Sequence, residues 1–412
     1  MGGTEDGSAH SPVAVGRRER LASVVNRYPS PSETFIERKA RALTSAGFDV
    51  AVAAHQVGDP PLGPADPVAV VQLPIVRKPS TWAGTARLLA TDPASRRRVG
   101  AVRGNVRRGH GLLPLIAGGF DVVHFEFSGI AASMVDSLDL LRPARLSVSC
   151  RGTAERITPH GDPERADRLA RVFDTVDLVH CVSDDMAEIV KGYGAADDKV
   201  LVNRPAVDTA RWAGVGRVDP EARGTADRPL RVLSVARLHW IKAFDDALRA
   251  VAEARRAGFH IRYRIAGDGS EREKLVYLRH SLGLEEEIEL LGWQSQAEVE
   301  AHLGWADAFL LTSLSEGISN SALEAMAAGV PVVSTRCGGM AEVVSGPDAG
   351  VLVDVGDVTQ IAEALRSLGD PTRRSALAVG GAAVAQADFD LDRQAHAFTS
   401  AYRRLLAGDG RP

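Results

Sequence analysis

The stretch from residue 308 to residue 339 reads AFLLTSLSEGISNSALEAMAAGVPVVSTRCGG. It holds two apolar runs, at 308–312 and 331–334, separated by a segment whose alanine and leucine content is typical of a helix. Runs that are apolar throughout, rather than alternating, indicate strands covered on both faces, as in a parallel sheet. The stretch therefore predicts a strand, a helix and a second parallel strand, the repeating unit of an α/β domain.

Similar units fill the rest of the chain in two series. The first predicts strands at 21–25, 50–54, 121–125, 146–150, 178–182 and 200–203, and the second at 231–236, 260–266, 288–291, 308–312, 331–334 and 351–353. A polar, Gly/Pro-rich stretch at 212–229 separates the two series and reads as a linker. In such sheets ligands bind beyond the carboxyl ends of the strands, so two facing domains predict a site in the cleft between them.

At 412 residues the chain is too long for one typical core. We predict an α/β protein with two Rossmann-like, doubly wound domains. The predicted parts are a disordered tail at 1–18, an N-terminal domain at 19–212, a linker at 213–229, a C-terminal domain at 230–385 and a final helix at 386–412.

The composition excludes several classes of protein. Hydrophobic residues make up 45% and charged residues 25%, and the net charge is -4, so nothing global indicates nucleic acid. There is no run of 18 apolar residues to span a membrane, and the first eighteen residues lack the apolar core of a signal peptide. Three sparse cysteines, Cys150, Cys181 and Cys337, favour a reducing compartment. We therefore expect a cytoplasmic protein.

Two carboxylates follow the strand at 308–312. Glu316 lies in the loop after the strand, and Glu324 projects from the first turns of the next helix. Ser319 or Asn320 is suited to cap that helix, and the free amides of Ile318, Ser319 and Asn320 favour an anionic or polyhydroxylated group. The two carboxylates are placed to hold different parts of one ligand, although glutamates at this spacing also arise by chance.

Two cations follow the strand at 231–236, in the segment SVARLHWIK. Arg237 and Lys242 lie between the strand end and the next helix, where they would neutralise charge on a leaving nucleotide diphosphate. Solvated basic residues near a helix start are the alternative. The turn IAGDG at 265–269 adds a glycine, Gly267, that would let a ligand approach the backbone.

In order and spacing, these segments resemble the retaining glycosyltransferase family 4, which has the two-domain GT-B fold. The resemblance runs from about residue 21 to near the end and is strongest at 231–354. The Glu-x7-Glu motif of that family is matched by Glu316 and Glu324. The resemblance implies that the first lies near the transferred sugar and the second binds the donor ribose.

The same resemblance assigns further donor contacts. Arg237 and Lys242 match the pair that clamps the donor diphosphate, although Ala236 and Ala243 stand where the family more often has glycine. Base contacts in such folds are often made by backbone, and we expect them here around Leu291 and Trp293. The final helix is expected to cross back onto the N-terminal domain, which would bind the acceptor.

The segment RYPSPSETFIE at 27–37 resembles the Pro-x-x-Ser-Glu-Thr-Phe-Ile segment of exopolysaccharide transferases, including those of colanic-acid type. Ser32, Glu33 and Thr34 follow the first strand and would offer amides and hydroxyls to phosphate or acceptor. The alternative is a helix cap, with Ser32 as the cap and Phe35 packing inward.

A second departure from the family concerns catalysis. Many members carry His-Gly-x-Asp after the strand at 146–150, whereas this chain has Arg151–Gly152–Thr153–Ala154. An arginine does not act as a base near neutral pH, but Arg151 is suited to orient a hydroxyl or a phosphate. We expect His124, at the end of another strand, to face the cleft and assist catalysis. The alternative is a strand-end histidine satisfied by backbone.

The predicted function is retaining transfer of a hexosyl-type sugar from a nucleotide-diphosphate sugar to a polysaccharide or lipid-linked acceptor. The resemblance implies no metal and no other cofactor, and we interpret the Asp-x-Asp sequence at 388–392 as helix capping. Alternatives are transfer to a small secondary metabolite, a nucleotide-sugar epimerase or phosphorylase on the same fold, and a non-catalytic nucleotide-sugar-binding protein.

A basic stretch runs from Arg77 to Arg108, with nine cations against one acid, Asp92. It suggests peripheral contact with the inner membrane through surface attraction, where a lipid-linked acceptor would lie. A solvated basic face is the alternative.

Overall fold

The computed structural model describes residues 17–30, 33–58, 68–74, 83–101, 109–216 and 218–408. The predicted tail at 1–18 lies outside the described residues except for its last two. Within the described residues the chain forms two sheets, one in each half of the sequence, and all neighbouring strands are parallel.

The N-terminal sheet has seven strands in the order β3-β2-β1-β4-β5-β6-β7. Its strands are β1 (Arg20–Tyr28), β2 (Asp49–Val57), β3 (Ala69–Gln72), β4 (Val122–Phe125), β5 (Arg145–Cys150), β6 (Leu178–Cys181) and β7 (Val200–Val202). The α-helices of this half are α1 (Thr34–Ser45), α2 (Ala83–Thr91), α3 (Pro93–Ala101), α4 (Leu113–Gly118), α5 (Ser128–Ser133), α6 (Thr153–Arg156), α7 (Thr158–Gly161), α8 (Pro163–Thr175), α9 (Asp184–Gly192) and α10 (Thr209–Trp212). Short 3-10 turns occupy His110–Leu112, Val135–Leu141 and Asp197–Lys199.

The C-terminal sheet has six strands in the order β10-β9-β8-β11-β12-β13. Its strands are β8 (Leu230–Val235), β9 (Ile261–Ala266), β10 (Ile288–Gly292), β11 (Ala308–Leu311), β12 (Val332–Thr335) and β13 (Val351–Val353). A 3-10 turn at Trp240–Lys242 precedes the α-helices α11 (Phe244–Arg256), α12 (Arg272–Ser281), α13 (Gln296–Trp305), α14 (Asn320–Ala327), α15 (Met340–Val343), α16 (Val358–Ser367), α17 (Pro371–Asp388) and α18 (Leu391–Ala407).

Both sheets are buried on both faces, which explains their continuous apolar strands. In β1, Ala22 and Val24 belong to one core cluster and Leu21 and Val25 to another. Successive side chains of a strand point to opposite faces, so each cluster covers one face of the sheet. Every predicted strand is present.

One strand, β3, was not predicted. Its run is bracketed in sequence by Pro67 and Pro74. Proline argues against a central strand because it cannot donate to the ladder. The structure places β3 at the sheet edge, with Val70 44% exposed.

The last helix, α18, crosses back to the N-terminal half. Phe398, Ala401 and Tyr402 are buried in the core cluster that contains Leu21 of β1 and Ile36 of α1. Just before α18 begins, residues 207 and 390 form an isolated parallel β-bridge. This bridge lies where the chain returns to the N-terminal half. The final helix is therefore part of the N-terminal core.

Asp390 caps α18, since its carboxylate accepts from the backbone N–H of Asp392 at 2.9 Å and from Thr209 Oγ1 at 2.9 Å. These bonds give the Asp-x-Asp sequence a structural role.

The basic stretch is only partly described, since five of its nine cations (Arg77, Lys78, Arg103, Arg107 and Arg108) lie outside the described residues. The guanidinium of Arg98 folds onto the carbonyl oxygens of Ile116 and Ala117, at 3.2 and 3.1 Å from Nε, so it serves the fold. No helix among the described residues is long and apolar enough to span a membrane. Membrane contact stays a prediction.

We expect Phe398→Ala to lower the free energy of unfolding by about 3–5 kcal/mol, because it empties a site shared by α18 and the N-terminal core. Urea unfolding followed by circular dichroism measures the change. His396→Ala is the matched control, because His396 lies on the same helix and is exposed. Equal losses in the two variants would contradict the packing role of α18.

Candidate active site

The loops that follow the strands of both sheets meet at two adjoining cavities. The larger has a volume of about 520 Å³ and is lined by the C-terminal loops and by Thr34 and Arg38 of α1. The smaller has a volume of about 240 Å³ and is lined mainly by the N-terminal half. Arg237, Ile318 and Asn320 line both, so the cavities meet at these residues.

Glu316 and Lys242 form an ion pair in the larger cavity. Lys242 Nζ donates to Glu316 Oε1, and Ser313 Oγ donates to the same oxygen at 2.7 Å. The two charged side chains are only 17% and 13% exposed, so water screens them little. Glu316 Oε2 has no hydrogen-bond partner among the described residues. The carboxylate is thus held in one orientation with one oxygen available to a ligand.

Ala243, the residue after Lys242, is one of the positions at which the chain departs from the family pattern. Ala243 joins the 3-10 turn to α11 with a φ of 45° and a ψ of 44°, in the left-handed region. This region disfavours residues with a Cβ and favours glycine. Ala243 accordingly occupies a strained position, where the family more often has glycine.

Arg237 lies on a loop that packs against the Gly-Asp-Gly turn. The N–H of Leu238 donates to the carbonyl of Asp268 at 2.9 Å, and a Cβ on Gly267 would lie 1.9 Å from the carbonyl oxygen of Ala236. Gly267 also lines the larger cavity, and the loop before Arg237 approaches it so closely that only a glycine fits. Its contact with a ligand stays a prediction.

The side chain of Arg237 is exposed and has no hydrogen bond or ion pair with any described residue. Its charge is therefore available at the junction of the two cavities.

The start of α14 closes the same junction. Ser319 caps the helix, because its side chain accepts from the N–H of Ala322 at 3.3 Å. The N–H of Ser319 itself donates to Met340 Sδ at 3.4 Å. This amide is therefore not free, contrary to the prediction. Asn320 Oδ1 is buried without a hydrogen-bond partner and Ile318 is buried beside it, and both residues line the two cavities.

Glu324, the second predicted carboxylate, lines the larger cavity and faces the N-terminal domain. Burial raises the pKa of its carboxyl group, while nearby Arg38 acts to lower it. Arg38 Nη2 lies 3.9 Å from Glu324 Oε1 and 3.1 Å from Thr34 Oγ1. Arg38 of α1 thus places a positive charge beside Glu324, the carboxylate that the family resemblance assigns to the donor ribose.

The larger cavity is also lined by Trp293 and Gln294. Trp293 is 65% exposed. Leu291 is not among the residues that line the cavity, and its carbonyl accepts from Gln294 Nε2 at 3.2 Å. The structure therefore favours Trp293 and Gln294 over Leu291 as residues that meet a ligand.

The smaller cavity holds the predicted acceptor loop. Glu33 precedes α1 and lines this cavity, whereas Thr34 lines the larger one. Ser32 lies outside the described residues. Burial raises the pKa of Glu33, against the opposing charges of Arg237 and Arg151.

Phe35 is half-buried and lines the smaller cavity, and the N-cap residue of α1 is Glu33 rather than Ser32, with no side-chain cap. The ring of Phe35 lies 6.3 Å from that of Phe127 in an edge-to-face arrangement, and the guanidinium of Arg151 lies 4.3 Å above it. All three residues line the smaller cavity. Arg151 therefore lies beside the start of α1, and its role toward a hydroxyl or a phosphate stays a prediction.

A buried ionic cluster forms the floor of the smaller cavity. Glu126 is fully buried, and its Oε1 accepts from Lys39 Nζ at 2.9 Å and from Ser23 Oγ at 2.6 Å. Its Oε2 accepts from Arg151 Nη2 at 2.8 Å. Burial acts to raise the pKa of Glu126, but Lys39, His124 and Arg151 together hold it well below its usual value. Burial lowers the pKa of Lys39 to about 8.

The expectation that His124 faces the cleft is wrong. Its side chain is fully buried behind Glu126, and its ring nitrogens lie 2.9 Å from Ser147 Oγ and 2.8 Å from Ser149 Oγ. Tyr402 of α18 closes the other side at 3.1 Å. Burial lowers the pKa of His124 to about 4. The histidine is a structural residue satisfied by side chains of the core.

The two domains touch beside the cavities. A Cβ on Gly317 would lie 2.4 Å from the carbonyl oxygen of Arg151. Nearby, Glu342 of the C-terminal domain accepts from Arg204 at 2.7 Å and from the N–H groups of Asp184 and Asp185, at the start of α9, at 3.1 and 3.0 Å. A carboxylate at a helix N-terminus is favourable, so this contact stabilises the observed domain arrangement.

Sequence reasoning missed Arg38, Lys39 and Glu126. A signal for Lys39 exists, because it shares a helical face with Ile36 and Leu43, which are buried. A lysine on the apolar face of an amphipathic helix indicates a buried partner. Nothing in the sequence indicates that this partner is Glu126, which lies 87 residues away.

Family models and known proteins identify the family of this chain. The model for glycosyl transferases group 1 matches residues 229–370, and the model for Glycosyltransferase Family 4 matches residues 32–211. The chain belongs to glycosyltransferase family 4, and its activity is glycosyl transfer. WcaL of Escherichia coli, assigned to colanic acid biosynthesis, is 29% identical over 368 residues, covering 82% of this chain and 88% of that protein.

Solved structures show the fold. Sucrose-phosphate synthase from Thermosynechococcus elongatus has a TM-score of 0.72 at 18% identity, covering 95% of this chain and 100% of that one. HepE of Anabaena, solved with UDP, has a TM-score of 0.67 at 16% identity, covering 93% and 99%. The predicted GT-B fold is confirmed.

We expect acid to destabilise the protein partly through His124. Its pKa is about 4 when folded and 6.5 when unperturbed, so the unfolded chain takes up a proton that the folded chain refuses. Stability present above pH 6.5 is therefore lost as the pH falls toward 4. By pH 5 the loss from this residue is about 2 kcal/mol.

Urea unfolding at pH 7.5 and pH 5 measures this loss. His124→Gln should reduce the difference between the two pH values, and exposed His396→Gln should not. A difference unchanged in His124→Gln would show that other groups cause the acid sensitivity.

Proposed function

We propose that the protein transfers a hexosyl-type sugar, with retention at the anomeric carbon and without a metal, from a nucleotide-diphosphate sugar to a polysaccharide or lipid-linked acceptor. The observation that carries the proposal is the convergence of Arg237, Lys242, Glu316 and Glu324 on one cavity. Arg237 and Lys242 follow β8, Glu316 follows β11 and Glu324 lies on α14. Together they supply the charges that such a donor requires.

We expect the donor to lie in the larger cavity. Its nucleotide would lie beside Trp293, with ribose hydroxyls donating to Glu324. The diphosphate would then lie between Arg237 and Lys242, and the sugar would donate a hydroxyl to Glu316 Oε2. HepE, which shares the fold, was solved with UDP, which supports a nucleotide in this cavity.

Two cations supply the electrostatic part of the reaction. As the bond to the sugar breaks, negative charge grows on the departing diphosphate, and nearby cations stabilise it. Lys242 is held beforehand by Glu316, whereas Arg237 has a packed backbone and an exposed side chain that is free to contact the diphosphate. This arrangement supports a transfer in which Arg237 and Lys242 do what a metal ion does in other transferases.

The position of the smaller cavity supports retention. It meets the larger cavity at Arg237, the residue that would hold the leaving diphosphate. An acceptor bound there approaches the sugar from the side on which the nucleotide leaves. The leaving phosphate oxygen would then take the acceptor's proton, so that the protein mainly positions the reacting groups.

The similarity to WcaL supports a polysaccharide or lipid-linked acceptor.

We expect the two glutamates to have separable roles. Glu324→Gln should weaken nucleotide binding about tenfold, because a charged acceptor for the ribose hydroxyls is lost. Glu316→Gln should leave nucleotide affinity nearly unchanged and reduce turnover by about 100-fold, because its effect falls on the sugar. Isothermal titration calorimetry and product formation measure the two effects, and equal nucleotide affinity in wild type and Glu324→Gln would contradict the ribose assignment.

A thermal-shift screen against UDP, GDP, dTDP, ADP and CDP, with and without magnesium, tests the proposal directly. We expect one nucleotide to stabilise the protein selectively and equally in both conditions, since Arg237 and Lys242 supply the positive charge. With the matching nucleotide sugar and an acceptor, proton NMR of the first product should show the donor's anomeric configuration. An inverted product, or stabilisation only with magnesium, would overturn the corresponding part of the proposal.

A further inference from the structure

The smaller cavity is lined by more positive than negative charge. Lys39, Arg151 and Arg237 line it, while Glu33 is the one carboxylate among its lining residues. Behind them, Glu126 accepts from both Lys39 and Arg151. Arg237 faces Glu33, so these two charges offset each other. Lys39 and Arg151 share Glu126 alone, which leaves one net positive charge in the buried cluster.

This excess is costly because much of it is buried. The side chain of Lys39 is 5% exposed and that of Glu126 is 0% exposed. A buried charge without a full counter-charge is strongly unfavourable unless other groups compensate it. Glu126 carries one negative charge, whereas Lys39 and Arg151 together carry two positive charges. Glu33 does not make up the difference, because it faces Arg237 as well as Arg151.

The remaining neighbours do not supply the missing charge. His124 lies 3.6 Å from Glu126 and is neutral near pH 7, because burial lowers its pKa to about 4. Burial likewise lowers the pKa of His180, and the hydroxyl of Ser23 is neutral. The ring of Phe398 lies 4.2 Å from Lys39 Nζ, a contact that offsets only part of the loss of hydration.

We infer that the smaller cavity binds an acceptor that carries an anionic group, a carboxylate or a phosphate, against Lys39 and Arg151. Lys39 Nζ has three donors, of which its hydrogen bond to Glu126 uses one. An anion at this place completes the charge balance of the buried cluster. The inference rests on the proposed function, since it specifies the acceptor of the same transfer.

Two acceptor atoms in the cavity define the rest of the ligand. Asn320 Oδ1 is buried without a partner, and the carboxylate of Glu33 lines the opposite half of the cleft. Both accept hydrogen bonds, which sugar hydroxyls donate. The rings of Phe127 and Phe398 add apolar faces against which a sugar ring can lie. The ligand is therefore an anionic carbohydrate rather than a simple anion.

The experiment compares three probes in the presence of saturating nucleotide: methyl β-glucuronide, glucose 6-phosphate and neutral methyl β-glucoside. Calorimetry should show at least one acidic probe binding about tenfold more tightly than the neutral probe, the size of one added charged hydrogen bond. The better acidic probe identifies the anion as a carboxylate or a phosphate. Equal binding of all three probes would overturn the inference.

Variants of Lys39 test the site itself. Lys39→Met should remove the preference for the acidic probe, and Lys39→Arg should keep it. Lys274→Met, at an exposed lysine on α12, is the matched control and should behave as the wild type. If Lys39→Met fails to fold, because Glu126 loses one of its cations, Lys39→Met combined with Arg151→Met and Glu126→Gln removes all three charges of the cluster. A preference for the acidic probe that survives in this triple variant would overturn the inference.

Nucleotide affinity, measured without a probe, separates the two proposals. It should be the same in wild type and in the Lys39 variants, because Lys39 does not line the larger cavity. A parallel loss of nucleotide affinity would show that the cluster serves the donor diphosphate, and would overturn the acceptor assignment alone. Nucleotide that fails to bind the wild type would instead contradict the proposed function.

Discussion

The site depends on backbone packed directly on backbone at glycines in the loops beyond the strand ends. A Cβ on Gly338 would lie 1.9 Å from the carbonyl oxygen of Glu316, and one on Gly317 would lie 2.4 Å from that of Arg151. The first contact holds a loop of the C-terminal domain, and the second joins the two domains. These loops carry the charged side chains of the two cavities. The close backbone contacts at the two glycines therefore set the distances between those charges, and a Cβ at either glycine would not fit.

The two cavities use charge differently. In the larger one, Lys242 and Glu316 neutralise each other and Arg237 stays unpaired, so a diphosphate finds a positive site and a sugar finds a carboxylate. In the smaller one, Lys39 and Arg151 share the buried Glu126 and keep an excess of positive charge. The cavities meet at Arg237, so the groups proposed to react would lie within reach of one exposed cation.

Much of the fold and of the donor side could be predicted from sequence. Apolar strand runs and the spacing of Glu316, Glu324, Arg237 and Lys242 are local features, and the structure places all four side chains around one cavity. The acceptor side was less predictable. His124 was expected in the cleft but is buried, because α18, from the far end of the chain, covers it.

The sequence by itself determined the α/β architecture, the positions of the strands and which charged residues follow their carboxyl ends. These follow from the burial of sheets on both faces and from the order of the chain. Only the tertiary structure decided that Lys39 and Arg151 meet on Glu126 and that Arg38 of α1 faces Glu324. Such pairs join residues far apart in the chain, and their geometry depends on how two domains and a returning helix pack.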